Sequence, residues 1–337
     1  MLERIIRVLE WVRVEEFVGK GAGFGRPQHE RYALARAYCV KAVLGMSCTT
    51  AILDRLSADR KLRRLCGFPL YKRLPSASTF SRAFEEFANQ GLADMAHKAL
   101  IQAALGDELI GSISRDSTAI TARERPVVVS KVEPPKAASR KRGRPAKGDI
   151  REPVVVMPNR IEIQRTQSLD QMLADLPRDC AHGSKVNAKG YKESWHGYKL
   201  HLDTASCGVI ISALTSSASM HDSQACIPLA RMSQERVTYL YELADAAYCS
   251  ADLRADARAR GHVPLYDHNP RGGEKIAFTP CQANWYKDRT GAERSNALLK
   301  DGCALREVWV RGHSKVHAHL MFGVLVVAAQ QLMRLLQ

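Results

Sequence analysis

Tyr286, Arg289, Glu293 and Lys300 follow one another at spacings of three, four and seven residues. At about 100° per helical residue, their side chains project within roughly 60° of one another. One helix face then carries a carboxylate, two cations and a phenol. A carboxylate in that setting can bind a divalent metal, and the cations and phenol can hold phosphate oxygens. The combination suits phosphodiester chemistry. A structural reading uses the same residues: Thr290-x-x-Glu293 is also a capping box, and Arg289 with Glu293 is an ordinary i,i+4 pair.

Two further acids stand where such chemistry needs them. Asp116 lies within the segment Leu109 to Thr118, which reads as a strand, and Asp245 closes the strand pattern Val237 to Ala244. Mg2+ and Mn2+ prefer hard oxygen ligands, and carboxylates crowded together need a metal to neutralise them. Two metals about 4 Å apart can activate an attacking oxygen and stabilise a leaving one in displacement at phosphorus. Taken singly, Asp116 and Asp245 could equally cap the turns that follow them.

The elements that must position these residues can be read from periodicity. Residues 1 to about 106 read as helical, with an amphipathic start at Ile5-Ile6-Leu9-Val12-Val14 and a further helix opened by Pro75-Ser-Ala-Ser78-Thr-Phe80. Short helices with basic intervals (Arg60, Lys61, Arg63, Arg64, Lys72, Arg73) fit a helix-turn-helix-like DNA-binding unit or a plain helical bundle. From Glu108 the pattern becomes strand, strand, strand, helix, strand, helix, strand, helix. His196 to Asp203 and Gly208 to Thr215 form the hairpin. Pro264 in His262 to Tyr266 points to an edge strand. The C-terminal apolar segment reads as a buried helix packed on the sheet. A mixed sheet with helices is an α/β core. Its element order matches the ribonuclease H-like fold, in which the first and fourth strands adjoin.

Composition narrows the partners. The 337 residues carry a formal charge of +15, which favours polyanions. Leu320 to Ala329 is about half the roughly 20 apolar residues of a membrane span, and no signal-peptide pattern opens the chain. The nine cysteines include no CxxC or CxxH pair, so a zinc site is not expected and a reducing cytosol is. Residues 123 to 152 hold ten Lys/Arg against four Asp/Glu, in an inserted Pro/Gly-rich loop that is expected to run to about 192. Within it, Lys141 and Lys147 flank Arg142-Gly-Arg144-Pro, a core of the kind that enters narrow A·T-rich minor grooves. A solvated charge run is the alternative. The histidines at 201, 221, 313, 317 and 319 lack convincing ligand spacing. Trp195 and Trp285 read as packing residues that could instead stack on an unpaired base.

With Asp116, Asp245 and the Tyr286-Arg289-Glu293-Lys300 series in view, the chain resembles the DDE transposases of bacterial insertion sequences, in the group whose signature is Y-(2)-R-(3)-E-(6)-K. Asp116-Ser-Thr118, Gly197-Tyr-Lys-Leu-His201, His221-Asp222 and Asp245-Ala-Ala-Tyr248 add to the likeness, which covers roughly residues 108 to 335. The resemblance implies a metal-binding triad of Asp116, Asp245 and Glu293 with Mg2+ or Mn2+, two per active site. It also implies phosphate contacts from Arg289 and Lys300, supported by Tyr286. Residues 1–106 would be a helical DNA-end-binding region, and 107–335 a ribonuclease H-like catalytic domain. The expected activity is cleavage at transposon ends and transfer of the 3′-hydroxyl into target DNA by a homodimer, in the cytoplasm and on the nucleoid, without a membrane partner. The alternatives are a non-catalytic DNA-binding protein that keeps the fold and a ribonuclease H-like nuclease. One departure is that only 47 residues separate Asp245 from Glu293, where some members carry a large β-rich insertion. How the second strand would be processed is therefore open at this point.

Overall fold

The computed structural model describes residues 1–19, 31–126, 158–186, 190–270 and 273–336. The chain opens with α1 (Leu2–Val12), α2 (Arg31–Val43), α3 (Thr49–Ala58), α4 (Arg60–Cys66), α5 (Ala77–Gln90) and α6 (Leu92–Leu105). In α1, Ile5, Val8, Leu9 and Val12 are buried, the one-sided stripe that a helix on a core requires. Asp59 starts α4 by accepting from the Lys61 and Leu62 amides, and Ser76 starts α5 by accepting from Thr79. Phe80, Phe84 and Phe87 all face inward from α5.

The sheet follows, beginning with β1 (Leu109–Ala122). Next come α7 (Arg160–Gln164), α8 (Leu169–Asp175), β2 (Ala181–Val186), β3 (Lys192–Ala205) and β4 (Ile210–Ser217). The chain then forms α9 (Cys226–Gln234), β5 (Thr238–Ala244), α10 (Ala251–Ala259) and β6 (Val263–Tyr266). It ends with α11 (Pro280–Tyr286), α12 (Thr290–Ala297), the two-residue β7 (Glu307–Val308) and α13 (His313–Leu335). β1 lies at the centre, antiparallel to β3 and parallel to β5. β4 pairs with β3, and β6 pairs with β5 at the edge that Pro264 foretold. Apart from the small β2 and β7, this is the ribonuclease H-like arrangement, with first and fourth strands adjoining as expected.

The expected loop at 123–192 is corrected in its second half, which contains α7, α8 and β2. Asn159 with Glu162 and Ser168 with Gln171 form two capping boxes that start these short helices. Met172 of α8 is then buried beside Cys226, Ile227 and Tyr248, so tertiary packing stabilises helices too short to stand alone. The basic residues Lys141, Arg142, Arg144 and Lys147 lie outside the described residues.

α13 joins the two halves of the chain by packing against α1, α2, α5, α6 and β4. The helical N-terminal region and the sheet consequently share one hydrophobic core. Among the described residues, α13 is the one helix long and apolar enough to cross a membrane, and 83% of its apolar window is buried inside the protein. Core packing accounts for that composition.

Under the sheet lies a buried ionic network that sets strand register. Arg115 holds Asp203 of β3 through contacts of 2.9 and 2.8 Å and Glu242 of β5 at 3.2 Å. Arg260 reaches Glu242 at 2.7 Å, and Tyr266 and Ser233 donate to Glu242 and Asp203. Burial alone would raise the Glu242 pKa, but Arg115 and Arg260 hold it well below the ordinary carboxylate range. A buried charge set with partners on every side tolerates no slippage between β1, β3 and β5. Arg115 and Asp116 alternate across the strand, so the network on one face fixes the height of the acid on the other.

Candidate active site

The segment 280–302 winds onto the face of the sheet that carries Asp116. Thr279 and Gln282 form the capping box that starts α11, with Pro280 at the first turn. The backbone at Tyr286, Arg289 and Thr290 stays right-handed helical. The expected capping box at Thr290-x-x-Glu293 is therefore not formed: no extended residue precedes Thr290, and its hydroxyl donates to Lys287 O instead. The i,i+4 pair between Arg289 and Glu293 does form, at 2.8 Å.

Strand hydrogen bonds fix this segment in place. Ser112 and Ser114 of β1 donate to the Asp288 carboxylate and carbonyl at 3.0 and 3.3 Å. The Tyr286 hydroxyl donates to Ala244 O at 3.2 Å, immediately before Asp245. Arg289, the next residue after Asp288, is thereby delivered between the two strands. Its Nη2 lies 3.6 Å from Asp116 Oδ1 and 3.7 Å from Asp245 Oδ2. The three acids expected from the sequence thus converge, each within 4 Å of one guanidinium.

Neighbours complete the arrangement. Asn296 Nδ2 donates to Asp116 Oδ2 at 2.9 Å, and Asp245 accepts from the Ala247 amide at 2.9 Å. Burial pushes the Asp116 pKa up to about 6, with Arg289 opposing the rise and Asp245 and Glu293 adding to it. Burial raises that of Asp245 as well. Arg289 Nε, Asn296 Oδ1 and the Tyr248 hydroxyl are buried without a hydrogen-bond partner, so the site holds polar atoms that its own residues leave unsatisfied.

The donor chemistry fits a divalent cation: hard carboxylate oxygens, on Asp116 and Asp245 with pKa values raised by burial. The geometry is one step removed. Among the described residues no three His, Cys, Asp or Glu side chains are grouped as a metal ion requires, and the Arg289 guanidinium lies within 4 Å of each of the three acids.

Lys300 lies beyond Glu293 in a π-helical turn, Leu298–Gly302. Burial and then the charges of Lys185 and Arg306 lower its pKa, while Asp116 opposes the shift. Tyr286 ends α11 with its hydroxyl committed to Ala244, so it braces Asp245 rather than facing outward with the cations. Lys199 and Asp222, from the two further matching segments, pair at 2.8 Å. Asn296, Asp288 and the two serines were not anticipated. Asn296 lies three residues beyond Glu293 on the same helix face, a spacing that could have revealed it.

Of the histidines, His201 and His319 are buried, and His317 bridges Asp94 and Thr215. Trp195 packs over Gly183, and Trp285 stacks on Tyr241 at 5.0 Å. Five of the nine cysteines are buried.

The family model described as Transposase DDE domain matches residues 161–328, a span that includes Asp245 and Glu293 and begins after Asp116. The model described as Transposase domain (DUF772) matches residues 1–86. No curated protein and no solved structure matches the chain.

Proposed function

Since the chain belongs to the DDE transposases of insertion sequences, we propose that Asp116, Asp245 and Glu293 form its catalytic triad, cutting transposon ends and joining them to target DNA. One observation carries this reading: acids from β1, the end of β5 and α12 meet around a single positive charge. Divalent cations, as used generally in the family, would supply activation of the attacking oxygen and stabilisation of the leaving oxygen, with two Mg2+ or Mn2+ per site.

The residues of the chain divide the remaining work. Asp116 and Asp245 present oxygens from rigid strands, and Glu293 closes the set from the helix. Asn296 orients Asp116, and Tyr286 fixes the strand end that bears Asp245. Arg289 swings from the carboxylates to phosphate oxygens as metal and DNA arrive, and Lys300 holds phosphates at the rim. Residues 1–106 bind the transposon end, 107–335 carry the chemistry, and a homodimer keeps two ends together.

The test is a strand-transfer assay with a pre-cut end bearing a 3′-hydroxyl, in Mg2+ or Mn2+. Wild type is expected to yield joined product, and Asp245→Ala none while still binding DNA. Cleavage without joining would make the protein a nuclease. Equal products from wild type and Asp245→Ala would overturn the triad.

A further inference from the structure

β3 is longer than the sheet it belongs to. β1 and β4 pair with it only from Gly197 and Tyr198 onward. Before that point, from Lys192 to His196, its strand partner among the described residues is β2. The result is a two-stranded ribbon projecting beyond the sheet. His182, Ser184, Lys185 and Val186 on one strand and Lys192, Glu193, Ser194 and His196 on the other are exposed.

An isolated ribbon of two strands is marginal in water, and this one has a specific brace. Trp195 lies across Gly183 so closely that a Cβ there would meet its ring at 2.5 Å. The indole Nε1 donates to Tyr198 O at 3.2 Å. The ribbon is stiffened without a core, and its outward side chains remain short, polar or basic.

Its root lies on β1, beyond Asp116 along the same strand. Gly197 stands opposite Thr121 of β1, and Thr121 donates to Arg306 O at 3.1 Å. Lys185 and Arg306 both lie close enough to Lys300 to repel it. Glu193 meets Lys185 at 3.5 Å with both side chains about half exposed, a pair too solvated to neutralise the surface. Arg306 is paired in the same exposed way with Asp301, so Lys185, Arg306 and Lys300 leave a cationic excess beside the ribbon.

We propose that the β2–β3 ribbon is a duplex-DNA arm, in which Lys185 grips phosphates continuous with those held at Lys300, and Lys192, on the ribbon's other face, grips the backbone across the groove. A two-stranded ribbon fits the width of a major groove, and backbone cations on it position a duplex without reading sequence. This assignment rests on the transposase reading and adds the element that holds DNA next to the reacting bond.

The test uses full-length protein, fluorescence anisotropy and two duplexes: one carrying the element's terminal repeat, one unrelated. Measurements are made in EDTA, so that binding is independent of catalysis. Lys185→Ala/Lys192→Ala is expected to lower the slope of log K against log salt by about 2, since each phosphate contact contributes about 0.9. Both lysines are exposed, so the melting temperature is expected to stay unchanged. Loss of slope on both duplexes assigns the ribbon to any DNA at the site, and loss on the repeat alone assigns it to the transposon end. An unchanged slope on both duplexes overturns the proposal, even if the wild type still joins ends. Failure of Asp245→Ala to abolish joining would overturn the triad and leave the ribbon result standing.

Discussion

Replacing Arg289 by alanine tests whether the guanidinium stands in for a metal. Its three carboxylate contacts are 2.8, 3.6 and 3.7 Å long. A pair of unit charges at 4 Å is worth about 1 kcal/mol in water and about 4 kcal/mol at the effective dielectric of a protein surface. The Glu293 side chain is 58% exposed, so its contact belongs near the low end and is discounted to roughly 0.5 kcal/mol. Asp116 is 17% and Asp245 39% exposed, which places their contacts between the limits, less the cost of desolvating the arginine. A net hold of roughly 2 to 3 kcal/mol is reasonable.

An incoming divalent cation must first overcome that hold. Arg289→Ala is therefore expected to bind Mn2+ roughly 30- to 150-fold more tightly than wild type, at about 1.4 kcal/mol per tenfold. The metal-free variant is expected to melt lower, because Asp116 and Asp245 then face each other without a counter-charge. Mn2+ titration by electron paramagnetic resonance, and melting curves in EDTA and in Mn2+, measure both effects without DNA or turnover. The two curves should cross: less stable than wild type without metal, more strongly stabilised by it. Equal Mn2+ affinity in variant and wild type would refute the reasoning, since the arginine would then not compete for the site.

Three other perturbations have defined outcomes. Burial alone would lower the His317 pKa, but Asp94 at 2.9 Å overrides it and raises it; the Asp94 pKa is lowered in turn, despite burial. The His317 contribution to stability is thus complete below about pH 6.5 and lost as pH rises through the raised value, while that of Asp94 holds above about pH 3.9 and is lost as pH falls through the lowered one. The melting-temperature gap between wild type and His317→Gln should be widest near pH 5 to 6 and shrink above neutrality; a pH-independent gap would sink this account. Gly197 adopts φ +146, and a Cβ would lie 2.2 Å from Ile120 O, so Gly197→Ala should cost at least about 3 kcal/mol in urea denaturation. Arg115→Ala leaves Asp203 and Glu242 buried without their shared cation and should cost about 3 to 5 kcal/mol by the same measurement.

The acids were legible because chain order and spacing are one-dimensional signals. Asp116 sits in an alternating strand, Asp245 follows an apolar one, and Glu293 shares a helix face with Arg289. The fold order could be read for the same reason. Capping at Thr290 was misread because a local pattern has meaning only where a helix begins, and here the chain was already helical from Pro280. α7, α8 and β2 escaped notice because the Pro/Gly-rich basic stretch before them dominates the composition. Their stability also comes from partners distant in sequence, such as Gln224, whose carbonyl accepts from Gln164. The Arg115 network left one visible trace, the charged Asp203 and Glu242 set next to Leu202 and Leu243 in their strands. What no spacing could reveal is that Arg289 turns toward the acids.

That orientation gives the motif spacing a physical meaning. Arg289, Glu293 and Asn296 occupy ordinary helical positions and face the strand acids. After Ala297 the helix widens into the π turn that carries Lys300, and π turns recur at functional sites because they redirect a side chain without ending the helix. The widening takes Lys300 off the strict α-helical face and toward Lys185 and Arg306, so the two cations of one motif serve different surroundings. Arg289 neutralises carboxylates within the site; Lys300 joins the basic flank outside it. A single helix pinned to β1 through Asp288 and to β5 through Tyr286 can therefore set both the acids and the adjoining cationic surface in one register. Releasing either pin should disturb metal binding and DNA binding together: Ser112→Ala/Ser114→Ala, which touches no candidate ligand, is expected to weaken both.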